Sequence, residues 1–106
     1  MIIMSNQPCV YILASGRHAT LYIGVTGHLF ERIHQHRTGV FDGFTRRYGV
    51  QRLVWFEHQA DFPTAIALEK KLKRWRREWK VALIEKDNPF WEDRAMVLGL
   101  PPLDQA

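Results

Sequence analysis

Two short apolar runs near the start of the chain, each with a tyrosine inside it, constrain the fold most. They are Val10-Tyr11-Ile12-Leu13 and Leu21-Tyr22-Ile23-Gly24-Val25. Aromatic and β-branched residues of this kind favour strands. The segment between them, Ser15-Gly16-Arg17-His18-Ala19, is short turn material with one glycine. Two such runs joined in this way read as a β-hairpin. Side chains alternate across a strand, so each tyrosine faces away from its apolar neighbours. If Val10, Ile12, Leu21 and Ile23 face a core, Tyr11 and Tyr22 share the opposite, exposed face. A cross-strand aromatic pair that only stabilises the sheet would have the same pattern.

The rest of the chain supplies helices and one more strand. Thr26-Gly27 offers a helix start, with Leu29, Ile33 and His36 or Arg37 on one face. Gly39 is placed to end that helix. Val40 to Tyr48 reads as loop with one helical turn at most, and Leu53-Val54-Trp55-Phe56-Glu57 as a third strand. Asp61 can cap the next helix, and Pro63 is tolerated in its first turn. An apolar stripe of Leu68, Leu72, Trp75, Trp79 and Leu83 carries that helix to about Glu85. Asn88-Pro89 looks like a cap followed by the first residue of a short helical turn. The tail from Gly99 has two prolines and is expected over the surface. The order is β-β-α-β-α plus a short C-terminal helical turn. It predicts an α+β (α/β) fold, a small three-stranded antiparallel sheet flanked by helices.

The 106 residues suit one domain, 1–106, with a core over about residues 8–92 and a tail at 99–106. At 46% hydrophobic and 25% charged residues the chain can bury one core, and disorder is not expected. A lone cysteine, Cys9, excludes an intrachain disulfide and a cysteine-cluster zinc site, which agrees with a reducing compartment. Cys9 has no base nearby in sequence and reads as a small core or edge residue. No stretch approaches the roughly 20 apolar residues that span a bilayer. Met1-Ile2-Ile3-Met4 is too short and uncharged for a signal peptide. The expected location is cytoplasmic.

A formal charge of +4 and a pI of about 9.6 suit an anionic partner without proving one. Distribution says more. Seven of the 15 Lys and Arg residues are Lys70, Lys71, Lys73, Arg74, Arg76, Arg77 and Lys80. On one helix they surround most of the polar circumference. Neutralising several phosphates would release counterions and make binding salt-dependent. Arg46, Arg47 and Arg52 could extend the patch. Trp75 and Trp79, four apart, are expected to pack on the sheet rather than to stack on bases.

In order and spacing, Val10-Tyr11-Ile12, Tyr22-Ile23-Gly24, Arg32, His36 and Glu69 resemble the GIY-YIG nuclease superfamily. Val10 stands where the eponymous glycine would be. The likeness is to small stand-alone members, without the DNA-recognition modules attached in homing endonucleases and excision-repair incision enzymes. It implies metal-dependent hydrolysis of phosphodiester bonds in DNA, in repair or recombination. It implies that Tyr11 takes a proton from the attacking water, that Tyr22 shapes the pocket, and that Arg32 and His36 handle the phosphate. Glu69 would hold Mg²⁺ or Mn²⁺. Asn88 matches a functional asparagine of some relatives, or is a helix cap only.

Elementary chemistry tests these roles. A free phenol has a pKa of about 10, so about one in a thousand is ionised at pH 7. Tyr11 therefore needs a cation, Arg32 or a metal, to lower its pKa. Arg32 and His36 lie four apart and share a helix face. A guanidinium can grip two phosphate oxygens and neutralise charge in the transition state. The plain reading of Arg32 is a solvated surface arginine. His36 could assist proton transfer, or be a helix-terminal histidine favoured by the dipole. Glu69 is the only acid between Asp61 and Glu78. One carboxylate with waters and substrate phosphate suits magnesium, while an i,i+4 pair with Lys73 is the plain reading. His18, His28, His34 and His58 have no metal-ligand spacing and read as surface or loop residues. The expected partner is DNA, single- or double-stranded, with a homodimer or partner protein open, and no membrane or small-molecule cofactor. Two other functions stay open: a non-catalytic nucleic-acid-binding module, and a protein-interaction domain whose basic helix docks an acidic partner.

Overall fold

A computed structural model describes residues 7–38 and 48–100. The first strand, β1 (Cys9–Ala14), lies between β2 (Leu21–Thr26) and β3 (Arg52–His58), and both pairings are antiparallel. Helix α1 (Leu29–Thr38) follows β2. After β3 come α2 (Phe62–Arg74), α3 (Arg77–Asp87) and a 3-10 helix (Arg94–Leu98). The α+β fold and the three-stranded antiparallel sheet are as expected. The anticipated helix stop at Gly39, the loop up to Arg46 and Arg47, and the tail beyond Leu100 lie outside the described residues.

Apart from the Tyr11 hydroxyl and the Cys9 thiol, β1 is apolar on both faces and fully buried, as suits a strand between two layers. Val10, Ile12 and Ala14 join Ile23 and Val54 beneath α2 and α3. Cys9, Tyr11 and Leu13 join Leu53 beneath Leu29 and Ile33 of α1. The tyrosines do face away from their apolar neighbours. That face, however, is covered by α1 rather than exposed, and Tyr11 is fully buried. Between Ile12 and Leu13 the pairing with β3 slips: Ile12 opposes Trp55 and Leu13 opposes Leu53. The extra residue sends Val54 and Trp55 into the same cluster.

The expected helix from Asp61 to Glu85 is two helices. Asp61 caps the first as anticipated, its carboxylate accepting from the Thr64 N–H at 2.8 Å. The chain then leaves helical geometry at Trp75 (ψ 149°) and Arg76 (ψ 155°). One straight helix over 62–87 would be about 39 Å long at 1.5 Å per residue, longer than the 36 Å maximum extent of the molecule. The break folds the second half back, so Ile84 rather than Trp79 enters the core. Trp79 is left 49% exposed, which overturns its expected place against the sheet.

The C-terminal segment is built into the sheet. Asn88 ends α3 and also opens the turn at Pro89-Phe90, its carbonyl accepting from the Trp91 N–H at 3.1 Å. Its buried amide donates to the carbonyls of Val54 (3.0 Å) and Glu92 (2.9 Å) and accepts from the Glu92 N–H (2.9 Å). Both N–H groups are thereby used inside the fold. A 3-10 helix follows at Arg94–Leu98, capped by Asp93. Asp93 also accepts from the Leu53 N–H at 3.2 Å and from Arg37 at 2.7 Å, and Arg37 donates to the Gln51 carbonyl as well. This pins the end of α1 to β3. Trp91 is fully buried at φ 58°, its indole N–H on Glu85 at 2.6 Å and its ring 5.0 Å from that of His18.

Candidate active site

The site begins with a helical repeat. Leu29, Ile33 and His36 fall at i, i+4 and i+7, so all three point inward from α1. An imidazole thus ends an apolar stripe and is pressed against the sheet, only 3% exposed. Arg37, the other candidate for that face, turns outward to Asp93.

On the sheet the two tyrosines are diagonal neighbours. Tyr11 lies opposite Gly24, and Tyr22 opposite Leu13. Their ring centroids are 6.3 Å apart. The His36 ring is edge-on to both, at 5.8 Å from Tyr11 and 5.3 Å from Tyr22. The Tyr11 hydroxyl and His36 Nε2 are hydrogen-bonded at 3.0 Å.

Gly24 makes this arrangement possible. A Cβ placed on it would lie 2.5 Å from both Cζ and Oη of Tyr11. The Tyr11 ring therefore crosses directly over the backbone of β2. Sequence reading registered Gly24 only as part of a motif. The available signal was a glycine inside a strand, which marks close approach of another group.

Electrostatics correct one expectation. Arg32 does lower the Tyr11 pKa, by charge and by a hydrogen bond to the phenol. Burial outweighs it, with the neighbouring Tyr22 adding to the rise, and Tyr11 ends well above an ordinary phenol. Tyr11 is therefore protonated at neutral pH. Burial, then the charge of Arg32, holds His36 down at about 4. Its imidazole is neutral at pH 7 and open to a proton. A guanidinium can only donate, so the phenol oxygen accepts from Arg32, and the hydroxyl also hydrogen-bonds His36 Nε2 and Tyr22. The dipole reading of His36 as a charged helix-terminal residue is thus replaced.

The buried imidazole has a thermodynamic consequence. Its folded pKa lies below the unfolded value of about 6.5, so the unfolded chain binds the extra proton first. Stability is full above pH 6.5 and falls as pH drops towards 4, by up to about 3 kcal/mol. Urea unfolding at pH 7 and pH 4.5 should show this loss in the wild type. In His36→Gln, which has nothing to protonate there, it should be smaller.

Glu69 comes from the other layer. It lies on α2, which packs across β1 and the edge strand β2 on the side opposite α1. Its carboxylate is 16% exposed and is held by Lys73 at 3.0 Å, the i,i+4 pair that the spacing allowed. At that edge a groove of about 310 Å³ is lined by Leu21, Tyr22, Ile23, Lys73 and Lys80. One hollow thus joins a tyrosine of the buried cluster to the partner of Glu69. Lys80, read from the sequence only as part of the basic patch, lines this groove. It lies on α3, across the break from Lys73 of α2, and its ammonium reaches the Lys73 carbonyl at 3.5 Å.

Among the described residues no three His, Cys, Asp or Glu side chains gather as a metal cage. The donor set is the single Glu69 carboxylate, mostly buried and paired with Lys73. It fits magnesium or manganese completed by water and substrate oxygens, and does not fit structural zinc. Asn88 is occupied within the fold as described above. The Cys9 thiol is pushed by burial up to about 12, which makes it inert as a nucleophile.

The basic helix residues are exposed, with several already engaged. Lys71 lies over Trp75 at 5.9 Å, Arg76 over Trp79 at 5.1 Å, and Arg77 donates to the Ala19 carbonyl. Lys70 and Arg74 are also exposed. No helix among the described residues is long and apolar enough to cross a membrane.

Comparison with known proteins gives a consistent picture. A UPF0213 protein of Bacillus cereus is 28% identical over 85 residues, 80% of this chain and 88% of that protein. The solution NMR structure of a UPF0213 protein from Bacillus halodurans matches with a TM-score of 0.52 at 28% identity, covering 82% of this chain and 92% of that one. Residues 7–82 match the GIY-YIG catalytic domain, a span holding both tyrosines, Arg32, His36 and Glu69. The chain belongs to the GIY-YIG catalytic domain family, part of a nuclease superfamily.

Proposed function

We propose that this protein is a metal-dependent endonuclease that hydrolyses phosphodiester bonds in DNA. The observation that carries the reading is the hydrogen bond between the Tyr11 hydroxyl and a neutral His36. It supplies a buried proton path beside a guanidinium. In this reading Arg32 binds the scissile phosphate and offsets charge as the pentavalent phosphorus forms. Water attacks phosphorus and passes a proton to the Tyr11 oxygen while the Tyr11 proton moves to His36 Nε2; the bond from phosphorus to the leaving sugar oxygen breaks, and that oxygen takes its proton from solvent. No free phenolate forms, so the raised pKa of Tyr11 is not an obstacle. The bound phosphodiester carries a negative charge, which favours the imidazolium that results. Tyr22 walls the pocket and excludes water. Glu69 would hold a divalent ion, which supplies Lewis-acid stabilisation of developing oxygen charge. Asn88 has no part in this reading.

The test is cleavage of supercoiled plasmid and of labelled oligonucleotides with Mg²⁺ or Mn²⁺. Glu69→Gln is expected to lower the rate by about 100-fold or more, from the several kcal/mol such an ion contributes. DNA binding in a chelator should persist. Cleavage by Glu69→Gln at the wild-type rate would overturn the proposal.

A further inference from the structure

We propose that Trp79 is a stacking platform for an unpaired nucleobase, and that the strand leading to it runs through the groove beside Tyr22. The inference rests on the nuclease reading for the destination of the strand, and on its own observations for the rest.

The first observation is where the helix breaks. Trp75 and Arg76 leave helical geometry with no glycine or proline to force it. Continued without the break, the helix would have kept Trp79 on the stripe of Leu72 and Trp75. The break turns it outward, leaving an indole 49% exposed in the most cationic part of the chain. The second is that this indole is held. Trp75, itself partly buried, meets it edge-on at 6.0 Å and 88°, and the Arg76 guanidinium lies over it at 5.1 Å. A held aromatic ring, half exposed and with a guanidinium over it, is the kind of group on which single-stranded bases stack, since every base has a π-face. The third is continuity. Lys80, next to Trp79 in sequence, lines the 310 Å³ groove with Lys73 and Tyr22. Lysine ammoniums along the groove suit the phosphate backbone, and the indole suits a base. Paired bases already stack on each other within a duplex, so the platform selects single strands or frayed ends.

The experiment reads binding by the full chain in a chelator, so it does not depend on cleavage. Fluorescence anisotropy is measured with a short oligothymidylate, an abasic strand of equal length and a matched duplex. Trp79→Ala should weaken oligothymidylate binding by between about 5-fold and 150-fold, and Trp79→Phe should recover most of it. The abasic strand should bind the wild type about as weakly as oligothymidylate binds the alanine variant. Duplex binding should change much less. Equal binding of oligothymidylate by wild type and Trp79→Ala would overturn the proposal. So would equal wild-type binding of the abasic strand, or competition by polyglutamate as effective as by oligothymidylate at matched salt. If stacking fails while plasmid nicking survives, only the platform is lost. If nicking fails while stacking holds, the chain binds strands without cutting them.

Discussion

Tyr11→Phe is expected to lower the rate of phosphodiester cleavage by about 10²–10⁴-fold, the usual worth of a positioned proton-transfer group. The substitution is conservative for packing. The phenyl ring still crosses over Gly24, where there is no Cβ to meet it. What disappears is the hydroxyl that bonds His36 Nε2 and accepts from Arg32, and that in the proposed mechanism links the attacking water to His36. The loss should fall on kcat more than on KM, because the hydroxyl is used in the chemical step and Arg32 still grips the phosphate. Stability should drop by about 1–3 kcal/mol, from a buried imidazole nitrogen left without its partner. A variant that keeps cleavage within a few-fold of wild type would place the proton path elsewhere.

The second large effect is expected from the smallest change, Gly24→Ala. One methyl group would sit 2.5 Å from Tyr11 Cζ and Oη, whereas carbon contacts prefer about 3.5–4.0 Å. The ring must therefore move by about 1 Å, and it is buried on all sides. Overpacking of this kind costs about 1–3 kcal/mol. Displacing a reacting group by about 1 Å costs on the order of 100-fold in rate. Gly24→Ala should thus fold with a lowered Tm and cleave on the order of 100-fold more slowly. Normal cleavage at a normal Tm would mean that the Tyr11 ring has room to spare.

Much of this was legible in the sequence, for identifiable reasons. The period of two across Val10-Tyr11-Ile12 and Leu21-Tyr22-Ile23 fixed the hairpin and put both tyrosines on one face. The four-residue spacing of Arg32 and His36 put them on one side of α1. Other features depend on tertiary packing. The break at Trp75 and Arg76 has no glycine or proline to announce it, and it decides that Trp79 points to solvent. Burial of the tyrosine face follows from how α1 lies across the sheet. It reverses the expected direction of the Tyr11 pKa, because desolvation outweighs the nearby guanidinium. Asn88 was read as a cap opening a short turn, which it does, yet its amide also reaches Val54, 34 residues away. Glu69 was placed correctly on its helix, and periodicity has no term for which layer that helix joins.

The bonds that Asn88 and Asp93 make to β3 also govern how the molecule meets its own copies. An uncovered outer strand is a template on which another chain can add itself, ladder bond by ladder bond. Here the Val54 carbonyl and the Leu53 N–H are already taken by side chains of the following segment. A newcomer at that border finds neither group available. Growth of the sheet by accretion is thereby hindered on the β3 side.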